Sequence, residues 1–224
     1  MTNNYIVEKI DEATTIGIHG TSVEAAAIAL KEGKFKPEYF TETTRGKKSD
    51  SLHFIANMNY FGEYFRSISE RFHKNWSCNF ISCGEMWAED LAFRHFMAIQ
   101  TRDTKRLGWE VIKWEAQERN CPPRFDFSYD ELSEWGWGPE FSEHLKREKI
   151  SEDSFSELLR QGVGRKGCLI GLNERCKSLK VTYGDLDVHP EAKLITPDEG
   201  LTLDYITGIV PLGEVEKKIL LASK

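Results

Sequence analysis

Apolar and β-branched residues cluster in short runs near both ends of the chain, between polar and turn-forming positions, and such runs predict β-strands. In the first third of the sequence, runs at 5–10, 15–19 and 51–57 indicate strands. In the last third, four further strands are predicted, at 167–173, 179–184, 191–196 and 205–213. Because strands lie at both ends with helical patterns between them, we expect an α+β domain whose two ends share one sheet system.

The helix that follows residue 19 is the best-defined element of the pattern. Thr21 with Glu24 three residues later matches a capping box, and Gly33 is the residue type expected to end a helix. The apolar face between these ends comprises Val23, Ala26, Ala27 and Leu30. The stretch "GIHGTSVEAAAIALKEG" (17–33) is therefore predicted to be a strand, a tight turn and a helix.

The middle of the chain, at about 85–160, has a helical period and contains five of the six tryptophans. Its segment 120–141 is rich in Pro, Gly and Asp and is predicted to be a loop. We therefore expect a single domain over 1–224 with a helical, Trp-rich insertion or lid at about 85–160. The tryptophans either fill a helical core or, in the case of Trp135 and Trp137 among glycines, contact the substrate.

Composition and net charge argue against several classes of protein, including membrane proteins and secreted proteins. No apolar run approaches the roughly 18 residues that a membrane span needs, and the start of the chain lacks the basic-then-apolar order of a signal peptide. We expect a soluble, cytoplasmic protein with no membrane partner. The formal net charge of −6 argues against a broad phosphate-binding surface. The five cysteines form no CxxC pair, which favours reduced, mostly buried thiols over a zinc site.

One glycine motif matches a nucleotide-binding pattern but lies in the wrong order of elements. The residues "GVGRKG" (162–167) match G-x-G-x-x-G, the turn of dinucleotide-binding Rossmann domains. That turn follows a strand and opens a helix, whereas here a helical pattern precedes it and a strand follows. We therefore predict a helix terminator and a loop.

A histidine at a predicted strand end is the first candidate site residue. His19 is followed by Gly20 and then by a helix start, which would place an imidazole, an approachable backbone and helix N–H groups around one small volume. That arrangement suits a polar ligand. The alternative is a hydrogen-bonded core histidine, with the glycine serving only the turn.

Two further stretches carry candidate residues. His53 lies in the strand 51–57 and Tyr64 on the helix after it, and two flat rings at this separation could clamp a planar heterocycle. Tyr64 could equally be part of an apolar helix face. Glu191 begins a strand directly after Pro190, where its carboxylate would project from the sheet end or simply be solvated.

In this order, the three stretches resemble the ADP-ribosyltransferase superfamily, especially the branch that includes diphtheria toxin and the poly-ADP-ribose polymerases. "IHGTSVEAAAIALKEGKFKP" is similar to the first family motif, "LHFIANMNYFGEY" to the second and "PEAKLITPDEGLTLDYITGI" to the third. The resemblance covers roughly 13–70 and 165–215. It implies an ADP-ribosyltransferase-like split β-sandwich with flanking helices.

The resemblance also implies roles in binding NAD. His19 would hydrogen-bond the adenine ribose, and Gly20, in the same His-Gly-Thr turn as Thr21, would hold the nicotinamide carboxamide through its backbone. His53 and Tyr64 would sandwich the nicotinamide ring.

Catalysis would depend on Glu191 and His53. Glu191 would bind the nicotinamide-ribose hydroxyl, and its carboxylate would stabilise the positive charge that develops on the sugar as the nicotinamide bond breaks. His53 would hold the leaving group in orientation. NAD is then the co-substrate, and the chemistry requires no metal.

Two positions depart from the family pattern. The second motif usually has a tyrosine where this chain has His53, although a histidine also occurs there in the family's RNA 2′-phosphotransferases. Two residues before Glu191 stands His189, where the arginine-modifying branch has Glu or Gln, so arginine is a less expected acceptor.

The expected function is that of an NAD-dependent mono-ADP-ribosyltransferase, a microbial toxin or defence enzyme that modifies a macromolecule. An RNA or DNA base is favoured over a protein side chain as acceptor, and an antitoxin is a conceivable partner. One alternative is an RNA 2′-phosphotransferase-like enzyme. The other is a non-catalytic NAD or ADP-ribose binding module, against which the presence of both Glu191 and His19 argues.

Overall fold

The computed structural model describes residues 4–36, 51–57, 60, 80–103, 109–119, 127–134, 138–183 and 191–223. The strands are β1 (Gly17–Thr21), β2 (Lys34–Phe35), β3 (Ser51–Ala56), β4 (Cys168–Leu172), β5 (Val181–Tyr183), β6 (Glu191–Ile195), β7 (Leu201–Thr202) and β8 (Ile206–Pro211). The α-helices are α1 (Val23–Glu32), α2 (Phe80–Thr101), α3 (Trp109–Arg119), α4 (Tyr129–Leu132), α5 (Gly138–Arg147), α6 (Glu152–Val163) and α7 (Glu214–Ala222). Two 3-10 helices span Glu174–Ser178 and Leu203–Tyr205.

Six of the strands form one sheet in the order β5-β6-β3-β1-β4-β8, and every neighbouring pair is antiparallel. Strands β2 and β7 form a separate two-stranded sheet. Strands β1 and β3, from the start of the chain, therefore lie beside β4 and β6, from its last third. This confirms the expected α+β class and the shared sheet, and the four strands predicted after residue 165 are all present.

Helices cover both faces of the large sheet. On one face, α1 and α7 pack over apolar strand residues that include Phe54, Ile170 and Leu194. On the other face, α2 packs over Ile18 and Leu169. Because successive strand residues point to opposite faces, the central strand β1 contacts both layers and is buried along its whole length.

The start of α1 differs from the predicted capping box. Ser22, and not Thr21, is the N-cap residue, and its hydroxyl accepts a hydrogen bond from the Ala25 N–H at 3.2 Å. The reason is that strand pairing extends through Thr21, which lies opposite Cys168, so the first unpaired helix N–H groups come one residue later. The predicted end is confirmed, since Gly33 adopts a left-handed conformation with φ of 73°.

The strand predicted at 5–10 does not form. In this segment only Ile6 makes a bridge, parallel to Ile209 in β8, and the Val7 N–H donates to the Ile209 carbonyl at 2.9 Å. The chain then turns away from the sheet, and β1 begins at Gly17 and not at residue 15. A run of β-branched residues does not form a strand unless a neighbouring strand supplies backbone hydrogen-bond partners along its length.

The described residues of the middle of the chain are largely helical and have a core of their own. Apolar residues of α2, α3, α5 and α6 form this core, in which Trp109 is 1% exposed and meets the Phe141 ring edge-on at 5.4 Å between centroids. Trp114, in contrast, is 58% exposed on α3. Within the described ranges, no helix combines the length and apolar character needed to cross a membrane.

The predicted loop at 120–141 is wrong in part. Ser128 and Glu131 form a capping box at the start of α4, and α5 already begins at Gly138. Ser and Asp in this segment therefore start helices and do not only interrupt them. Trp135 and Trp137 lie outside the described residues.

The "GVGRKG" segment is a helix end and a loop, as predicted. Helix α6 ends at Val163, and β4 begins at Cys168. The predicted buried thiols are confirmed for Cys83, Cys168 and Cys176, which are buried and form no disulfide, while Cys78 and Cys121 lie outside the described residues. Burial raises the pKa of the Cys176 thiol to about 12.

Two glycines set the distance between α2 and the sheet. A Cβ on Gly20 would lie 2.3 Å from the Gly84 carbonyl oxygen and 2.6 Å from the Ala88 nitrogen. A Cβ on Gly84 would lie 2.7 Å from Ile18 Cγ2. The helix and the strand are therefore in backbone contact, and Gly20 has a packing role whether or not it also binds a ligand.

We predict that Gly20→Ala destabilises the protein, because α2 must move away from β1 to admit the methyl group. Overpacking of this kind costs on the order of 1–3 kcal/mol. Gly164→Ala is the matched control, since its nearest contacts are ordinary ones at 3.5 and 3.6 Å. Chemical denaturation of both variants checks the prediction, and equal stabilities would contradict the packing role of Gly20.

Candidate functional site

The order of the central strands brings the three candidate stretches together. Glu191 begins β6, His53 lies in β3 and His19 lies in β1, and these strands are neighbours in the sheet. In the β3–β6 ladder, His53 lies opposite Lys193, and Ile55 lies opposite Glu191. Because residues two apart share a face, the side chains of His53 and Glu191 are diagonal neighbours on one face.

The two side chains are in direct contact. His53 Nδ1 and Glu191 Oε1 are 2.5 Å apart. A carboxylate oxygen only accepts, so His53 Nδ1 carries the proton and donates it. The His53 side chain is 40% exposed and that of Glu191 is 30% exposed, so the pair is within reach of a ligand.

Strands β1 and β3 part close to this pair. Their ladder contains two pairs, Gly17 opposite Ala56 and Ile18 opposite Ile55, whereas β1 continues to pair with β4 as far as Thr21. Where the ladder ends, a side chain replaces the backbone partner, and His19 Nδ1 lies 2.6 Å from the His53 carbonyl oxygen. The imidazole therefore bridges two diverging strands.

This bridge defines the protonation state of His19. The carbonyl accepts, so Nδ1 carries the hydrogen, and Nε2 has the lone pair of a neutral imidazole. His19 is 4% exposed, and burial lowers its pKa from 6.5 to about 4, despite the bond to the His53 carbonyl, which raises it. At neutral pH the lone pair of His19 is therefore at Nε2, which is buried.

His19 and the His53–Glu191 pair do not share a face of the sheet. His19 lies opposite Ile170, on the face covered by α1, while Ile18 and Ile55 share the opposite face with His53. His19 is connected to the pair through the backbone of β3, because the His53 carbonyl accepts the hydrogen bond from His19. A ligand that contacts both His19 and the pair would therefore have to bind where β1 and β3 part.

Thr21 and Gly20 complete the turn at the end of β1. Thr21 is fully buried, and its hydroxyl has no hydrogen-bond partner among the described residues. Gly20 is buried against α2, as described above. Tyr64, the second ring of the expected clamp, lies outside the described residues, as do Trp135 and Trp137.

The sequence did not predict one of the contacts at this turn. The Ser22 hydroxyl lies 2.7 Å from His95 Nδ1 in α2, and both residues are buried. The contact joins the N-terminus of α1 to the helix on the other side of β1. The sequence offered one weak signal, a histidine within an apolar helix segment, and nothing in the spacing of 73 residues connects it to Ser22.

No family model, curated protein or solved structure matches this chain. Within the described residues, no group of three or more His, Cys, Asp or Glu side chains is placed to hold a metal ion. The site has a partly exposed carboxylate oriented by an imidazole and, where β1 and β3 part, a buried, neutral imidazole that bridges the two strands.

We predict that His19 makes the stability of the protein pH-dependent. The folded state keeps His19 neutral down to a pH of about 4, whereas His19 in the unfolded chain becomes protonated near pH 6.5. Between pH 6.5 and about 4 the unfolded state therefore binds more protons than the folded state. The free energy of unfolding therefore falls as the pH is lowered through this window. His19→Asn removes the titrating group, so the wild type should lose about 2–3 kcal/mol more than the variant between pH 7 and pH 4.5.

Urea denaturation of the two proteins across this pH range measures the difference. The quantity to compare is the slope of stability against pH, since the substitution also removes a buried hydrogen bond at every pH. Parallel curves would show that His19 is not held neutral by the fold.

Proposed function

We propose that this chain is an NAD-dependent mono-ADP-ribosyltransferase, and that its sheet is the split β-sandwich typical of that superfamily. The single observation that carries the proposal is the contact between His53 Nδ1 and Glu191 Oε1 at 2.5 Å. Residues far apart in the sequence, which the family resemblance assigned to one site, form a hydrogen-bonded pair. Neither residue type would be required here for packing, since both side chains are partly exposed.

The pair suits the cleavage of an N-glycosidic bond. As nicotinamide leaves, positive charge develops on the ribose, and a fixed carboxylate beside the sugar stabilises it. The hydrogen bond from His53 orients one oxygen of Glu191 before the reaction, so little reorganisation is needed as the charge appears. The exposed part of the His53 ring is available to the planar nicotinamide, which aromatic rings bind by stacking.

The rest of NAD would bind beside the place where β1 and β3 part, which the His19 ring bridges. A ribose hydroxyl is a hydrogen-bond donor, and neutral His19 has its lone pair at Nε2, so this contact would require a local opening that exposes the buried ring. The buried Thr21 hydroxyl and the start of α1 lie at the same strand end. These groups support the assignment of His19, Gly20 and Thr21 to the binding of the nucleotide.

The acceptor we propose is a macromolecule, with an RNA or DNA base favoured over a protein side chain. The setting we propose is a microbial toxin or defence enzyme. Incubating the protein with NAD labelled in the adenine moiety and total cell extract, then digesting with nuclease or protease, identifies the acceptor class. We expect nuclease to release the label. Release by protease alone would reassign the acceptor, and unlabelled macromolecules with intact NAD would overturn the proposal.

We predict that Glu191→Gln retains NAD binding and the fold but loses most NAD cleavage. The amide keeps an oxygen that can accept from His53, so only the negative charge is removed. Loss of one such group typically lowers the rate by on the order of 10²–10³. Glu199→Gln is the matched control, because Glu199 is exposed in the loop after β6. Nicotinamide release measures both variants, and the opposite ranking would move the catalytic role to Glu199.

A second prediction concerns the acceptor. If Trp135 or Trp137 stacks on a base, the double change of both to alanine should leave NAD hydrolysis in water intact and reduce transfer. Base stacking of this kind contributes about 1–3 kcal/mol. Trp114→Ala removes a 58% exposed tryptophan from α3 and is the control. Loss of hydrolysis and transfer together, with a lowered melting temperature, would instead assign the two tryptophans to the core.

A further inference from the structure

Away from the candidate site, the described residues line a half-open cavity of about 700 Å³. Five of the lining residues are apolar, and together we call them the floor: Ile10, Ile81, Leu169, Val210 and Leu212. The volume lies within the range of roughly 300–1,000 Å³ that is typical of ligand pockets. An apolar floor of this kind suits an aliphatic side chain or a similar group.

The walls of the cavity are acidic. Glu8, Asp11 and Glu12 line it from the segment 8–12, and Glu85 lines it from α2, with Lys9 as the basic lining residue. Within the described residues, none of Glu8, Glu12 and Glu85 makes an ion pair. Four carboxylates against one ammonium group favour a ligand that carries more than one positive charge.

The acidic wall formed by 8–12 is held in place at both ends. The Val7 N–H donates to the Ile209 carbonyl at 2.9 Å, and Asn57 Nδ2 donates to the Glu12 carbonyl at 3.1 Å. The Asp11 carboxylate accepts from the Ala13 N–H at 3.0 Å. The wall is therefore formed before any ligand binds, which lowers the ordering cost of binding.

We propose that this cavity is a second binding site, which takes a basic peptide segment of a partner protein with an aliphatic side chain flanked by lysine or arginine. The aliphatic group would contact the floor, and the flanking cations would meet the carboxylates of the segment 8–12 and of Glu85 in α2. A small amine has a single positive charge and could neutralise only one of the four carboxylates. Nucleic acid is excluded here, because its phosphates would face the carboxylates.

The site is independent of the proposed NAD chemistry. Leu169 and Val210 belong to β4 and β8, whereas His53 and Glu191 belong to β3 and β6, on the other side of β1 in the sheet. With strands about 4.8 Å apart, the two sites are separated by roughly 10 Å or more. Helix α2 packs over β1 between them.

The probe for the test is a capped, fluorophore-labelled tetrapeptide of sequence Lys-Leu-Leu-Lys, with binding measured by fluorescence anisotropy. The triple variant Glu8→Gln, Glu12→Gln and Glu85→Gln should bind it about tenfold more weakly, since exposed ion pairs each contribute a small factor. Binding should also weaken as salt is added. Ile81→Ala, which shortens one floor side chain, should weaken binding without changing its salt dependence.

The matched control is the triple variant Glu118→Gln, Glu134→Gln and Glu143→Gln, which removes the same charge from exposed positions in the helical region. It should bind the peptide as the wild type does. Equal weakening in both triple variants would show a non-specific charge effect and overturn the proposal.

Three comparison ligands complete the test. Glu-Leu-Leu-Glu should not bind, which tests the carboxylates, and Lys-Gly-Gly-Lys should bind weakly, which tests the floor. Hexylamine binding as tightly as the peptide would overturn the peptide assignment in favour of a small organic cation. NAD cleavage should be the same in both triple variants, so failure of this proposal is distinguishable from failure of the proposed enzyme activity.

Discussion

The register of β3 against β6 is the constraint on which the candidate site depends. Glu191 lies opposite Ile55, while Ala192 and Leu194 are buried on the other face, under α1 and α7. A slip of one residue would exchange the two sets, burying the carboxylate and exposing the apolar groups. The apolar core therefore fixes the face on which Glu191 meets His53, and the site is a consequence of how the sheet is packed.

The positions of Gly20 and His19 also depend on the geometry of this sheet. Strand β1 is in backbone contact with α2 through Gly20 and Gly84, and its ladder with β3 ends at the Ile18–Ile55 pair. Beyond that pair, the buried, neutral His19 ring bridges β1 to the His53 carbonyl. Two neighbouring residues of one motif therefore have different structural roles. Gly20 admits the helix, and His19 bridges the two strands.

Much of this arrangement could be predicted from the sequence, where local pattern and tertiary environment agree. The strands β4, β6 and β8 follow from short, largely apolar runs bounded by turn residues, and Gly33 ends α1 as its type indicates. Errors arose where tertiary pairing overrides local signals. Thr21 is a good cap by type, but its pairing with Cys168 keeps it in the strand.

Other features could not be read from the sequence in principle. The contact between Ser22 and His95 joins residues that are distant in the chain, and neither has a pattern that indicates the other. The acidic cavity depends on a segment, 8–12, whose path follows from one bridge to β8. The proximity of His53 to Glu191 was expected only through a family resemblance, because strand order is not a local property.

A crystal structure of the protein with a non-hydrolysable NAD analogue is the most direct test of the proposed site. We predict density beside the parting of β1 and β3, with the nicotinamide ring on His53 and a ribose hydroxyl within hydrogen-bond distance of Glu191. The second ribose should lie near Nε2 of His19. Density at another place, or a filled acidic cavity beside an unchanged His53–Glu191 pair, would contradict the assignment of this site to NAD.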